Sequence, residues 1–373
     1  MNRDTRLMAL ALLLWGFGEG LFFHIQPLYI EQLGANPVQI GTLLSAMAVV
    51  RAASFLPAGA LADRLPRKWV MWGGFLLGFV AVLLVGLARS WQGLVPGLMV
   101  YSLSGYCVPA INAYLAHAVG GNSLGRTFTT VFAGYAAGGV LSPAVGGWLA
   151  GVTSMRTVYF AAAALFALSA FTVLWVSGQP VPARVGSGRR YRSLLDRRVL
   201  RFEVLVGLMF AAMYVGFPLA PNFLAQVRGW DVARIGTLGS FQALGTMVLN
   251  LLLGRLDDGR RTRGLVVGQA LVWGSALLLL LTGAFPLLAL AYLLGGAYQG
   301  CRALTQARAT GLGEEAHRGL LLGVTEMTIA IAQVVAPYVA GWLYVGNPAW
   351  PFVASLVMIP VASLLVVAGL PHT

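Results

Sequence analysis

Long apolar runs alternate with short polar joints along the whole 373-residue chain. About 20 apolar residues in helical form cross the ~30 Å hydrocarbon layer of a bilayer. The runs predict spans at 7–30, 38–62, 69–88, 93–117, 126–150, 156–177, 202–224, 232–256, 264–283, 286–309, 319–344 and 350–369. In lipid each backbone N–H and C=O must be satisfied within its own segment, so runs of this length read as helices. The first run is too long for the core of a signal peptide and reads as a retained span. The expected fold is an all-α membrane protein with twelve transmembrane helices.

Composition agrees with the pattern. Hydrophobic residues make up 58% of the chain and charged residues 10%, with a mean hydropathy of +0.78, against about 25% charge in soluble domains. The net charge of +13 raises the question of nucleic acid. Its distribution excludes that partner, because the basic residues cluster in joints, as in loops facing anionic lipid. With the N-terminus inside, nineteen of the 25 Lys and Arg residues fall on cytoplasmic segments and four on outer ones; Arg51 and Arg302 lie within spans. This asymmetry predicts an inner-membrane protein with both termini cytoplasmic. Cys107 and Cys301 both sit inside apolar runs, so no disulfide framework is expected. No nucleotide-binding loop, nucleophile triad or metal-ligand cluster is present, and neither an enzyme nor a cofactor is expected.

The longest joint, 178–201, is rich in Pro, Gly and Arg and reads as a linker on the inner membrane surface. It sets a domain plan of 1–178, a linker at 179–201, and 202–373. The two halves repeat. At a shift of 195, Gly34 meets Gly229, IGTLLS (40–45) meets IGTLGS (235–240), and Asp63 meets Asp258; at 194, Cys107 meets Cys301 and PAVGGWL (143–149) meets PYVAGWL (337–343). Two parallel repeats imply two six-helix bundles about a pseudo-twofold axis along the membrane normal.

GALADRLPRK (59–68) lies between predicted spans 2 and 3, and GRLDDGRRTR (254–263) occupies the matching place in the second half. With the twelve-span repeat and the basic central joint, this loop resembles the signature loop of the major facilitator superfamily. It keeps Gly59, Leu61, Asp63, Arg64, Arg67 and Lys68 and departs at Pro66. The resemblance implies the major facilitator fold, alternating access and a monomer. It also implies that the loop is a cytoplasmic gating motif: Asp63 at a helix N-terminus, Arg67 and Lys68 on lipid phosphate or neighbouring carboxylates, and Asp258 with Arg308 serving the second half. Span 5 carries GGVLSPAVGG (138–147), which is similar to the Gly-Pro motif of the family's antiporters. The resemblance further implies a cavity lined by spans 1, 4, 7 and 10, with Gln26, Tyr101, Asn112, Tyr214, Gln299 and Gln306 as substrate-cavity candidates.

Glu19, His24, Arg51, Arg302 and Glu326 lie well inside spans, where a central charge costs roughly 2.5–3.5 kcal/mol. At ~1.5 Å per residue, Glu19 and Arg51 lie at equal depth near the midplane. Arg302 and Glu326 share a shallower depth. Two pairs are therefore expected, Glu19 with Arg51 and Arg302 with Glu326. Each is read either as a proton-coupling or gating element or as a permanent structural bridge. His24 lies off the Glu19 face and reads as packed. The leading expectation is a secondary transporter of a small molecule, coupled to H+ and exporting by antiport. The alternatives are an importer or exchanger of an organic anion held by the arginines, and a receptor or lipid-handling protein on the same fold. Membrane lipids are the remaining expected partner.

Overall fold

A computed structural model describes residues 3–119, 124–179, 197–255, 261–309 and 318–369, with backbone alone at 55–64, 116–119, 124–130, 261 and 318–320. Among the described residues all regular structure is helical. Eight stretches of the described residues are long and apolar enough to cross a membrane: Arg3–Phe23, Arg67–Leu87, Trp91–Leu115, Met155–Leu174, Val232–Gly254, Thr262–Leu281, Leu321–Gly346 and Trp350–Gly369. The protein is an all-α multi-pass membrane protein.

Four runs expected as single helices are interrupted. The first forms α1 (Arg3–Phe23) and α2 (Gln26–Gln32). Pro27 opens α2, and its ring would clash with the carbonyl four residues back, that of Phe23, where α1 stops. Between them follow α3 (Pro37–Arg64) and α4 (Arg67–Leu87). The fourth run forms α5 (Trp91–Ser104) and α6 (Val108–Val119), joined by a 3-10 turn over Gly105–Cys107. Here Pro109 acts on the carbonyl of Gly105 in the same way. Next come α7 (Leu124–Val152) and α8 (Met155–Leu174). The seventh run splits into α9 (Arg197–Tyr214) and α10 (Ala220–Gln226), with Pro218 four residues after Tyr214.

The second half continues with α11 (Val232–Gly254), α12 (Arg261–Leu281), α13 (Phe285–Gly295), α14 (Ala297–Ala309), α15 (Arg318–Gly346) and α16 (Trp350–Gly369). The interruption between α13 and α14 has a different cause. A Cβ at Gly296 would stand 2.2 Å from the Thr246 nitrogen, and one at Gly245 would stand 2.0 Å from the Leu293 oxygen. Two backbones touch there, and only glycine admits the approach.

The chain forms two compact units. The first comprises Met1–Ala35, Val49–Gly186 and Trp230–Ser240; the second comprises Asn36–Ala48, Ser187–Gly229 and Phe241–Thr373. The units follow the two halves of the sequence except that the start of α3 belongs to the second and the start of α11 to the first. In the first unit α1 packs chiefly on α7 and α8, and α4 on α5 and α8. In the second, α9 packs on α15 and α16, and α12 on α13, α14 and α16.

Two features repeat in register. Gly34 and Gly229, matched at the 195 shift, are the glycines with positive φ among the described residues, at 95° and 66°. Each turns the chain just before a long helix. The other feature is a pair of backbone contacts. Within the second unit, a Cβ at Gly41 would meet the Pro337 oxygen at 2.2 Å. Within the first, a Cβ at Gly236 would meet the Pro143 oxygen at 2.5 Å. Gly41 and Gly236 correspond at 195, and Pro143 and Pro337 at 194, so one contact is built twice.

The α1–α7 seam sets the first unit. Cβ atoms would fall 2.4 Å from the Tyr135 oxygen at Gly16, 2.8 Å from the Leu13 oxygen at Gly138, and 1.9 Å from the Leu21 oxygen at Gly146. A side chain on Gly146 therefore prises the helices apart. Gly146→Val is expected to cost about 1–3 kcal/mol, as overpacking does. Thermal unfolding followed by size-exclusion chromatography would show it as a lowered midpoint, whereas Gly139→Val, where a Cβ meets open space, would leave the midpoint nearly unchanged.

Candidate functional site

The α1–α7 seam brings three polar residues together within the first unit. Glu19, near the C-terminal end of α1, faces α7 and α5. Its Oε1 accepts a hydrogen bond from Tyr101 Oη at 2.6 Å and its Oε2 accepts one from Tyr135 Oη at 2.7 Å. Bonds to an ionised acceptor are the strong ones, and both carboxylate oxygens are engaged. An aromatic wall backs the site. Trp15 stacks on Phe166 with centroids 4.2 Å apart, and Phe22 meets Tyr101 edge-on at 5.6 Å.

The expected direct pairing of Glu19 with Arg51 is not formed: among the described residues no ion pair joins them. Equal depth along the membrane normal does not specify which way a side chain points. Because α1 packs on α7 and α8, the phenols reach the carboxylate first. Arg51 is exposed and lies beside the turn at Gly105. It stands close enough for its charge to act on both tyrosine hydroxyls. Tyr135 is absent from the sequence-based candidates. The signal that would have found it is the glycine ladder of span 5, which marks the face of α7 turned to α1. His24 packs on Gly239 within the same unit, where a Cβ would lie 2.5 Å from its ring.

In the second unit, Arg302 and Glu326 meet. Arg302 Nε donates to Glu326 Oε1 at 3.2 Å and its Nη2 donates to Oε2, a two-pronged pairing of α14 with α15. Gln306, one turn further along α14, also donates to Oε1. Glu326 is thus clamped by two side chains four residues apart on one helix face. Nearby, Tyr298 accepts from Gln333 Nε2 at 3.2 Å, and the Tyr214 and Tyr298 rings lie 5.6 Å apart. Of the other cavity candidates, Gln26 is buried, whereas Asn112 and Gln299 are exposed.

At the end of the first unit that carries the chain's N-terminus, Arg67 is held by groups of the protein. Its Nη1 donates to the Ala113 carbonyl at 3.1 Å and to Gln179 Oε1 at 3.2 Å. Gln179 returns a bond to the Tyr114 carbonyl at 3.0 Å. The Tyr114 hydroxyl lies 3.1 Å from Asp4 Oδ2, and the Asp4 carboxylate also accepts from Ser177. The start of α4 is thereby tied to the start of α1, to α6 and to the segment after α8. Lys68 lies over the Trp69 ring at 5.6 Å. Arg308 donates to Thr262 Oγ1. Gly59, Asp63 and Arg64 are described by backbone alone, and all of Asp258 lies outside the described residues.

With this geometry in place, comparison identifies the class. The Major Facilitator Superfamily pattern matches residues 8–217 and again 202–373. The chain belongs to that superfamily, whose members are transport proteins rather than enzymes. It is similar to the multidrug resistance protein MdtG of Klebsiella pneumoniae (strain 342), 30% identical over 66% of this chain and 63% of that one. The MdtG of Escherichia coli O1:K1 / APEC is 33% identical over 69% of this chain and 66% of that one. The aligned region spans about two thirds of these relatives. Among solved structures, the nucleoside transporter NupG superposes with a TM-score of 0.80 at 16% identity, covering 100% of this chain and 99% of that one. A bacterial homologue of the human lysosomal transporter Spinster, inward-facing and occupied, gives 0.78 at 16%, covering 98% and 96%. These two establish shared fold.

Two stability predictions follow from the clusters. Tyr135→Phe deletes a hydrogen bond to a carboxylate, worth about 1.5–3 kcal/mol, and is expected to lower the unfolding midpoint. For the second cluster, Arg302→Ala and Glu326→Ala are each expected to destabilise more than the double variant's excess over either one, because a single deletion strands a half-buried charge. A double-mutant cycle by thermal unfolding measures the coupling; additive losses would show that the pair is not coupled.

Proposed function

We propose that the chain is a secondary active transporter that exports a small molecule in exchange for H+ by alternating access, with Glu19 as the proton-carrying group. The observation that carries this reading is the pair of tyrosine hydroxyls on a carboxylate deep in the first span, with no cation bonded to it among the described residues. A hydroxyl both donates and accepts. The same two phenols hold the ionised form by donating, and the protonated form when one of them turns to accept. A direct arginine bridge would fix the negative charge instead. That is the situation of Glu326, clamped by Arg302 and Gln306, which we assign to a structural role in the second unit.

Several finer features belong to this reading. We propose twelve spans in two six-helix bundles: α3, α7, the α9–α10 pair and the α13–α14 pair complete the eight long stretches. Both termini lie in the cytoplasm of an inner-membrane monomer. The cavity candidates Gln26, Tyr101, Asn112, Tyr214, Gln299 and Gln306 face the substrate, and the α3–α4 loop with its second-half counterpart gates the cytoplasmic side. Export is supported by the multidrug resistance proteins the chain is similar to. An anionic substrate is the second reading, favoured by Arg51, which is exposed and outside any ion pair among the described residues.

The test uses purified protein in liposomes with an imposed pH gradient and ethidium, benzoate and uridine as probes. Gradient-driven flux of ethidium is expected, lost on Glu19→Gln and retained on Glu326→Gln in whatever fraction remains folded. Full gradient-driven flux in the Glu19→Gln protein would contradict the assignment. Flux of benzoate alone, lost on Arg51→Gln, would favour the second reading.

A further inference from the structure

The two phenols on Glu19 are chemically alike and differently placed. Tyr101 is 6% exposed and Tyr135 is 38% exposed. The Tyr101 ring lies against Trp15, Phe22 and Phe166, with centroids 6.5, 5.6 and 6.3 Å away. That aromatic wall offers no acceptor, and among the described residues the Tyr101 hydroxyl bonds to Glu19 Oε1 alone. A buried donor turned away from its acceptor is left unsatisfied, which is heavily penalised. Tyr101 therefore goes on donating to Oε1 in both charge states of the carboxyl group.

Tyr135 is free of that constraint. One turn further along α7, at Gly139, a Cβ would meet open space, so the helix face beside the phenol is uncovered. Arg51 is exposed as well, and its charge reaches both hydroxyls. A guanidinium well inside a span turns to polar surroundings rather than to hydrocarbon, which makes this the wet side of the cage. The titratable and charged groups acting on Glu19 are Tyr101 on α5, Tyr135 on α7 and Arg51 on α3. Helix α8 presents the Phe166 ring to α1.

A carboxylate only accepts, whereas a carboxylic acid carries one O–H donor. With Oε1 taken by the Tyr101 donor, an added proton sits on Oε2 and points at Tyr135 Oη. The Tyr135 oxygen then accepts, and its own O–H turns outward. The balanced route is a relay. Hydronium gives a proton to the Tyr135 oxygen and leaves as water while the phenol's own proton passes to Oε2, so the phenol stays neutral and the carboxyl gains one proton. We propose that the Tyr135 hydroxyl is a polarity switch that shows the charge state of Glu19 to a ligand, as an oxygen lone pair when Glu19 is ionised and as an O–H when it is protonated. The small molecule exchanged for H+ is then one that donates an N–H to Tyr135, because a donor prefers the ionised form and competes with the proton. A ligand that accepts there, such as a ketone, prefers the protonated form and travels with the proton. This inference rests on Glu19 being the proton-carrying group.

The test has two arms, both on the full chain in nanodiscs across pH. The first is infrared difference spectroscopy with ring-labelled tyrosine. The Tyr135 C–O stretch, assigned by its loss in Tyr135→Phe, is expected to shift in step with the carboxyl band, while the stretch lost in Tyr101→Phe stays fixed. The second is fluorescence titration with 2-aminoanthracene and 2-acetylanthracene, a donor and an acceptor of similar shape. The amino probe is expected to bind about tenfold tighter above the carboxyl midpoint than below it, and the acetyl probe the reverse, the scale of one hydrogen bond. Gel filtration verifies that each variant is folded, and the probe arm needs only the unaltered protein. If no carboxyl band titrates, the assignment of Glu19 fails and the switch fails with it. If the band titrates but the Tyr101 stretch moves in place of the Tyr135 stretch, the switch alone is overturned. Probe affinities that respond to pH in the same direction, or no saturable binding of either probe, overturn it equally.

Discussion

The backbone contact between α1 and α7 is what the candidate site depends on. Gly16, Gly138 and Gly146 let two helices approach until main chain meets main chain. In a membrane, where the hydrophobic effect does not drive helices together, such small-residue seams supply much of the packing. The seam also has a chemical consequence. It carries the Tyr135 hydroxyl to Glu19, completing a two-phenol cage on a carboxylate that would otherwise be costly at that depth. Packing and chemistry here are one feature, and enlarging a seam glycine disturbs both.

The two clusters illustrate different solutions to the same problem. Glu326 is neutralised by a guanidinium in a two-pronged geometry with an amide in support. Glu19 is solvated by two hydroxyls, with Arg51 acting from a distance. A guanidinium holds one charge state of its partner, whereas hydroxyls serve two. The halves of the chain share glycine turns and glycine–proline contacts in register, from Gly34 with Gly229 to Gly41 with Gly236, yet the intramembrane charges Glu19, Arg51, Arg302 and Glu326 are not repeated. The scaffold has kept the symmetry of the repeat, and the ionisable groups have departed from it.

Much of the architecture was legible in the sequence. Hydropathy located the helices because span length is set by the bilayer, and the 194/195 register located positions with the same backbone geometry in both halves. The breaks in α1–α2, α5–α6 and α9–α10 were legible in principle: a proline lies four residues beyond the end of α1 and of α9, and five beyond the end of α5. The α13–α14 break was not, since it depends on a crossing helix at Gly245. The meeting of Arg302 with Glu326 lies at the shared depth that helical rise gives them. The partner of Glu19 was misread because rise gives depth but not azimuth, and azimuth comes from which helices pack.

The central claim is that the two-tyrosine cage lets Glu19 exchange a proton. Infrared difference spectroscopy of the carboxyl stretch, recorded across the pH range in which the protein stays folded, addresses it most directly. The account predicts a protonated-carboxyl band that titrates in the native protein, disappears in Glu19→Gln and shifts in Tyr135→Phe. A titration unchanged by Glu19→Gln would show that this carboxylate holds one charge state throughout, and would contradict the account.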